Sequence, residues 1–254
     1  MTLTHDNPAA RLRDVLLAVH RAFPNSRAQE PISSWQAFAQ VLEVEQHTSA
    51  GLQAIAGVAH LPDLVVESIR ALNEEPEEEA HLLLHLDGLQ AAMTGLVARK
   101  SLYQVFATFA PGGEVPRSAA MHSLASAARV LHRADPLHAM SDEDVARLEV
   151  LIVDLMDEVN AAKLPPRANF LLLQHLHALL QAVHLVRIYG RGGVEGAFDA
   201  FLGAVVRRPE TAEPLHEANL LDRFKDWVST VNGIISVGTG AAGLGQQVMR
   251  MLGS

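Results

Sequence analysis

Apolar residues recur along this chain with a helical period, and prolines and glycines punctuate them. Asn7-Pro8 is a helix start, with Asn as cap and Pro in the first turn, and Leu12, Val15, Leu16 and Val19 then share one face. Pro24 and Pro31 bracket a loop, after which Ser33 or Ser34 opens a helix carrying Trp35, Phe38 and Leu42. Shorter helices are expected over 48–58 and 62–72, with a turn at Ala59-His60-Leu61 before Pro62. The run Asn73-Glu-Glu-Pro-Glu-Glu-Glu79 is an acidic helix entrance, where carboxylates favour the positive end of the helix dipole. Beyond it Leu82, Leu86, Leu89, Met93 and Leu96 read as one continuous stripe, followed by a helical piece over 101–109. The clearest loop of the first half is Ala110-Pro-Gly-Gly-Glu-Val-Pro116, which suggests a boundary between an N-terminal helical region, 1–110, and a C-terminal bundle, 111–254, with one continuous domain as the alternative.

The second half repeats the pattern more cleanly. A helix over 117–134 ends before Asp135-Pro136, and Ser141-Asp-Glu-Asp144 starts the next in capping-box fashion. Val145, Leu148, Ile152, Leu155 and Val159 form its seam, with Asp154, Asp157 and Glu158 outside. Leu164-Pro165-Pro166 breaks the chain. The helix expected over 166–189 is apolar on most sides, which predicts a central place in a bundle. Gly190 caps it, Gly192-Gly193 restarts the chain into 197–206, and 209–214 is a loop. No segment alternates as a strand would. The expected fold is all-α: a multi-helix bundle with a central helix near 166–189 and a Gly/Ala-rich C-terminal helix.

Composition agrees with that fold: 49% of residues are hydrophobic but only 5% aromatic, a balance that favours helix over sheet. The net charge of −9 opposes nucleic acid and anionic lipid as partners. The chain has no cysteine, which removes disulfides, thiolate metal sites and cysteine nucleophiles. Its first residues have neither a basic nor an apolar signal region, so a cytoplasmic protein is expected.

The 13 histidines invite a search for metal or acid–base chemistry. His81 and His85 are spaced to share a helix face, a workable metal pair, though without the glutamate of a zincin, and Asp87 falls on another side. His177 and His184 share a polar strip with Gln174 and Gln181, and His122, His132 and His138 have no regular spacing. Nucleophile-elbow and P-loop signatures are absent from the sequence. No catalytic, cofactor or metal residues are assigned, and an enzyme is disfavoured.

From Trp227 to Met249 the chain carries no charged side chain. Gly238-Thr-Gly-Ala-Ala-Gly243 fits the dinucleotide fingerprint, but no second strand or ribose-binding carboxylate follows. The segment has the length of a membrane span, yet Ser, Thr, Asn and Gln dilute it. Its small residues Gly238, Ala241, Ala242 and Gly245 fall on one stripe, which suits close helix packing within the chain or against a second copy.

The stretch from Met140-Ser-Asp-Glu-Asp-Val through Leu164-Pro-Pro166, Leu172-Leu-Gln-His-Leu176 and Ile188-Tyr-Gly190 resembles helical regions of bacterial proteins, some found among prophage and phage-defence proteins. The resemblance implies a helical bacterial protein and transfers no functional residue. The function expected is therefore non-enzymatic: interaction with a protein partner or self-association, in defence or regulation. The first alternative is a conditional membrane-active effector using 227–249, and the second is a histidine-based metal-dependent or hydrolytic enzyme.

Overall fold

The structure is a computed structural model, and it describes residues 6–24, 32–137, 139–207 and 221–235. The fold is an all-α multi-helix bundle. The chain divides at His138/Ala139 into two compact units. The stripe Gly238, Ala241, Ala242 and Gly245, and with it the expected Gly/Ala-rich C-terminal helix, lies outside the described residues.

The first unit holds α1 (Pro8–Ala22), α2 (Ser34–Val41), α3 (Ser49–Ala71), α4 (Pro76–Leu83), α5 (Leu86–Val97), α6 (Leu102–Phe109) and α7 (Ala119–Ala134). Helix α3 packs against α1 and α5 and supplies the middle of the core through Ile55, Val58, Leu61, Val65 and Ile69, all buried. The turn expected at 59–61 does not form, because α3 runs straight through Pro62. A proline inside a helix costs about 3 kcal/mol. Here Val58, Leu61, Pro62 and Val65 are all buried, and burying side chains of this kind contributes roughly 1.5–3 kcal/mol each, so packing wins over the local signal. Among the described helices α3 alone is long and apolar enough to cross a membrane, and its apolar stripe is occupied as core.

The stripe from Leu82 to Leu96 is buried as expected, but on two helices. Leu84 is extended and His85 takes the left-handed conformation (φ 80°, ψ 0°), ending α4 and starting α5.

The loop at 110–116 lies within the first unit. Helix α7 beyond it returns to α1, where Asn7 caps α1 by accepting from Ala10 N at 3.0 Å and donates from Nδ2 to Ala128 O at 3.0 Å. Asp6 N donates to Leu137 O at 3.2 Å, and Asp6 pairs with the largely buried Arg11. These long-range ties hold 119–137 to the start of the chain, and the division between the two compact units falls at 138/139, some 28 residues beyond the expected 110/111 boundary.

The second unit comprises α8 (Asp142–Ala161), α9 (Pro166–His184), α10 (Val186–Arg207) and α11 (Leu221–Ile235). Each packs on the next, and α11 closes back on α8. Leu148, Ile152, Leu155 and Val159 of α8 face Leu172, Leu176, Leu179 and Val183 of α9 across the core. Aromatic rings fill its other side: Phe201 meets Phe224 and Trp227 edge-on at 5.7 and 5.5 Å, and Phe224 stacks on Trp227. Trp227 Nε1 donates to Leu151 O at 2.7 Å, which satisfies the indole's polar handle inside an apolar cluster.

The helix expected over 166–189 ends at His184, and α10 begins at Val186. Gly190 interrupts α10 at φ 70°, ψ −174°, a region open essentially to glycine alone. Helix resumes at once, so Gly192 and Gly193 lie inside α10. Helix α9 lies between α8 and α10 but keeps a solvent face at Phe170, Gln174 and His177.

Candidate functional site

The histidine pairs do not converge. His81 belongs to α4, while His85 sits at the left-handed junction before α5, so the one-turn spacing that a metal pair needs is broken between them. His122 Nδ1 lies 2.9 Å from Ser118 O, the carbonyl one turn back. His177 does the same with Leu173 O at 2.7 Å. His184 Nε2 pairs with Glu149 on α8. His138 lies outside the described residues. No group of three or more His, Asp or Glu among the described residues is arranged to hold a metal ion.

A cavity of about 700 Å³ opens in the first unit between the start of α5, the end of α6 and the start of α7. His85, Asp87, Glu114 and Arg117 reach it, and all are exposed. Its hydroxyls are engaged: Thr108 Oγ1 donates to Gln104 O at 3.0 Å, and Ser118 Oγ to Val115 O at 2.9 Å. Arg117 leans toward Glu114 at 3.4 Å in full solvent, where such a pair is worth little. The cleft therefore offers charges of both signs that water screens, and no buried polar group that would orient a ligand.

A smaller cavity, about 60 Å³, lies between α8 and α11. There Arg223 Nε donates to Glu158 Oε1 at 2.9 Å, beside Asp154, Asp226 and Trp227. It is a packing gap bridged by an ion pair.

The second unit displays a different kind of feature. Val150 and Val153 on α8 are 60% and 43% exposed, and Phe170 on α9 is 65% exposed. The Glu149–His184 pair marks which positions of the two antiparallel helices lie level with each other. Moving along α8 from 149 to 153 and 156 passes α9 positions near 180 and 177. Met156 of α8 and Leu173 and Leu180 of α9 are only partly buried against the core. They border the same seam, with Val153 toward one end of it and Phe170, which this register sets opposite position 163, toward the other.

No family model, curated protein or solved structure matches this chain. The reading of its function rests on its own surface and chemistry.

The sequence pattern located the inner seam of α8 and missed its outer one. The signal was present: Ala146, Val150 and Val153 recur at helical spacing opposite Leu148, Ile152 and Leu155. The described part of the charge-free segment, Trp227 to Ile235, is the end of α11. Trp227, Val228, Val231, Ile234 and Ile235 are buried there in the second core.

Proposed function

We propose that this protein works by binding another protein through the outer face of α8 and α9, without chemistry of its own. The observation that supports this is the exposure of Val150, Val153 and Phe170 beside the half-covered Met156, Leu173 and Leu180. An isolated exposed apolar residue needs no explanation, whereas a connected band marks a contact surface. The histidines nearest this face are committed to local bonds, His177 to a backbone carbonyl and His184 to Glu149, which suits a surface built for docking.

The test places a photo-crosslinking phenylalanine analogue at position 150 or 170 of the full chain in cells that express it natively. Position 52 serves as control, since Leu52 of the first unit is also half exposed, at 51%. A discrete adduct from 150 and 170, absent from 52, is the expected result. Either no adduct, or the same adducts from all three positions, would overturn the reading.

A further inference from the structure

The turn that leaves α7 brings together the parts of a backbone reaction. Asp135 is the only aspartate of the chain that a proline follows. It ends α7 with an extended backbone, φ −136° and ψ 96°, as the residue before a proline prefers. Leu137 N donates to Asp135 O at 2.8 Å, which closes a three-residue turn over Pro136. The far side of the turn is fixed too, because Leu137 O accepts from Asp6 N at 3.2 Å. Asp135 and Pro136 are exposed. Among the described residues no partner engages the Asp135 carboxylate, so it is free to rotate toward its own main-chain carbonyl.

Each part has a chemical role. A side-chain oxygen of Asp135 reaches the carbonyl carbon of its own residue through a five-membered ring, so the attack is intramolecular. Pro136 contributes twice. It has no main-chain N–H, which closes the competing route at aspartate, attack of the next nitrogen on the side-chain carboxyl. Its nitrogen also leaves as a basic secondary amine. The Leu137 N–H already points at the oxygen that becomes the oxyanion, at a distance suited to holding it. We propose that Asp135–Pro136 is a site of self-cleavage, at which the Asp135 carboxylate displaces the Pro136 nitrogen while the Leu137 N–H stabilises the oxyanion. In the first step a new C–O bond closes a cyclic anhydride on Asp135 and the C–N bond breaks. Its electron pair goes to the Pro136 nitrogen, which takes a proton from solvent. Water then opens the anhydride, restoring the side-chain carboxylate and leaving a second carboxylate as the new C-terminus. The balance is one water consumed and one peptide bond hydrolysed. The products are 1–135, with α1 to α7, and 136–254, with α8 to α11. The cut falls just before the division of the chain at 138/139, so each unit keeps its own helices. The reaction is on the chain's own backbone, turns over no substrate and does not rest on the docking reading.

The test incubates the purified full chain at mildly acidic and at neutral pH and follows its intact mass, with circular dichroism showing that the fold persists at each pH. Fragments 1–135 and 136–254 are expected to accumulate, faster in acid, where the departing nitrogen is protonated more readily. The same chain unfolded in urea at the same pH should cleave about tenfold more slowly, because the turn that presents the Leu137 N–H is gone. Asp135→Ala should stop the reaction. Asp135→Glu, whose ring would need six members, should slow it by about tenfold. Leu137→Pro removes the donor and should bring the folded rate down to the unfolded one.

No fragments, cleavage that survives Asp135→Ala, or fragments cut at another bond would overturn the proposal. Equal or faster cleavage in urea would overturn it as well, since the bond would then be labile by composition alone and the turn would contribute nothing. If Leu137→Pro itself melts early, the comparison of folded and urea-unfolded parent decides. Photo-crosslinking from position 150 is indifferent to all of these results, so failure here leaves the docking reading where it stood.

Discussion

The two units solve the burial problem in different ways. The first wraps short helices around one long one, with its buried rings, Trp35, Phe38, Phe106 and Phe109, carried by the short helices α2 and α6, and polar ties such as Asn7 to Ala128 O join its distant segments. The second lays four helices side by side and fills one side of its core with Phe201, Phe224 and Trp227. Fewer and longer helices leave each one a larger share of outer face. The outer faces of α8 and α9 are where Val150, Val153 and Phe170 are displayed. Exposed large apolar side chains occur in both units, Leu52, Leu84 and Val97 in the first and Val150, Val153, Phe170 and Tyr189 in the second; the difference is that Val150 and Val153 stand about one turn apart on one helix.

The sharpest way to break this comparison is Trp227→Ala. It removes the ring that Phe201 and Phe224 pack on and the donor to Leu151 O. A loss of about 3–5 kcal/mol is expected, as for large aromatic truncations. Calorimetry should show the second unit's transition lowered and the first unit's unmoved. A shift of the whole unfolding profile as one transition would show that the units are not energetically separate.

Backbone strain distinguishes the units next. Gly190→Ala forces a side chain into a conformation that only glycine adopts easily, and a cost of about 1–3 kcal/mol is expected. His85→Gly is the counterpart in the first unit, because His85 already carries a left-handed backbone. There denaturant melts should show stability unchanged or raised by up to about 1 kcal/mol. Equal losses at both sites would remove the contrast.

A cap comes third. In the first unit Ser101 Oγ accepts from Gln104 N while the Gln104 side chain accepts from Ser101 N, a closed capping box on α6. Ser101→Ala should cost about 1 kcal/mol in a denaturant melt, with the second unit's transition untouched.

The smallest effects concern pH, and they carry opposite signs. Burial pushes His20 of the first unit below its usual value, so the fold prefers the neutral ring. Its contribution is full above about 6.5, the unfolded value, and is lost as pH falls from there through the lower folded value. Burial pushes Asp199 of the second unit above the usual carboxyl range, so the fold prefers the neutral acid. That contribution is present in acid and fades as pH rises from the unfolded value through the folded one. His20→Gln and Asp199→Asn should each flatten one of these slopes in melting curves recorded across the two windows. A slope that survives its substitution belongs to another group.

How much of this was legible beforehand divides along the same physical lines. Caps and periodic seams were readable because they are local: Asn7 and Ser141 each start the helix that their neighbours predict. The turn before Pro62 and the unbroken helix through His85 were misread because non-local packing decides both, overriding a breaker in one case and inserting a break in the other. The return of α7 to Asn7 is equally non-local, and the loop at 110–116 gives no hint of it. At the candidate surface, the outer seam of α8 was written in the sequence. Which of its two seams faces solvent depends on where α9 and α11 lie, and that is a property of the assembled unit.

The chain holds two tryptophans, one in each unit. Trp35 lies under the Arg99 guanidinium, 4.6 Å from the ring centre, and donates to Gln46 O. Trp227 is enclosed by phenylalanines. Each unit therefore contains its own intrinsic optical reporter in its own dielectric. A Trp35→Phe chain emits only from the second unit, and a Trp227→Phe chain only from the first. Unfolding, ligand titration and quencher access become separable by unit with no label attached, so an observer could tell which half of the molecule has responded to a partner before knowing what that partner is.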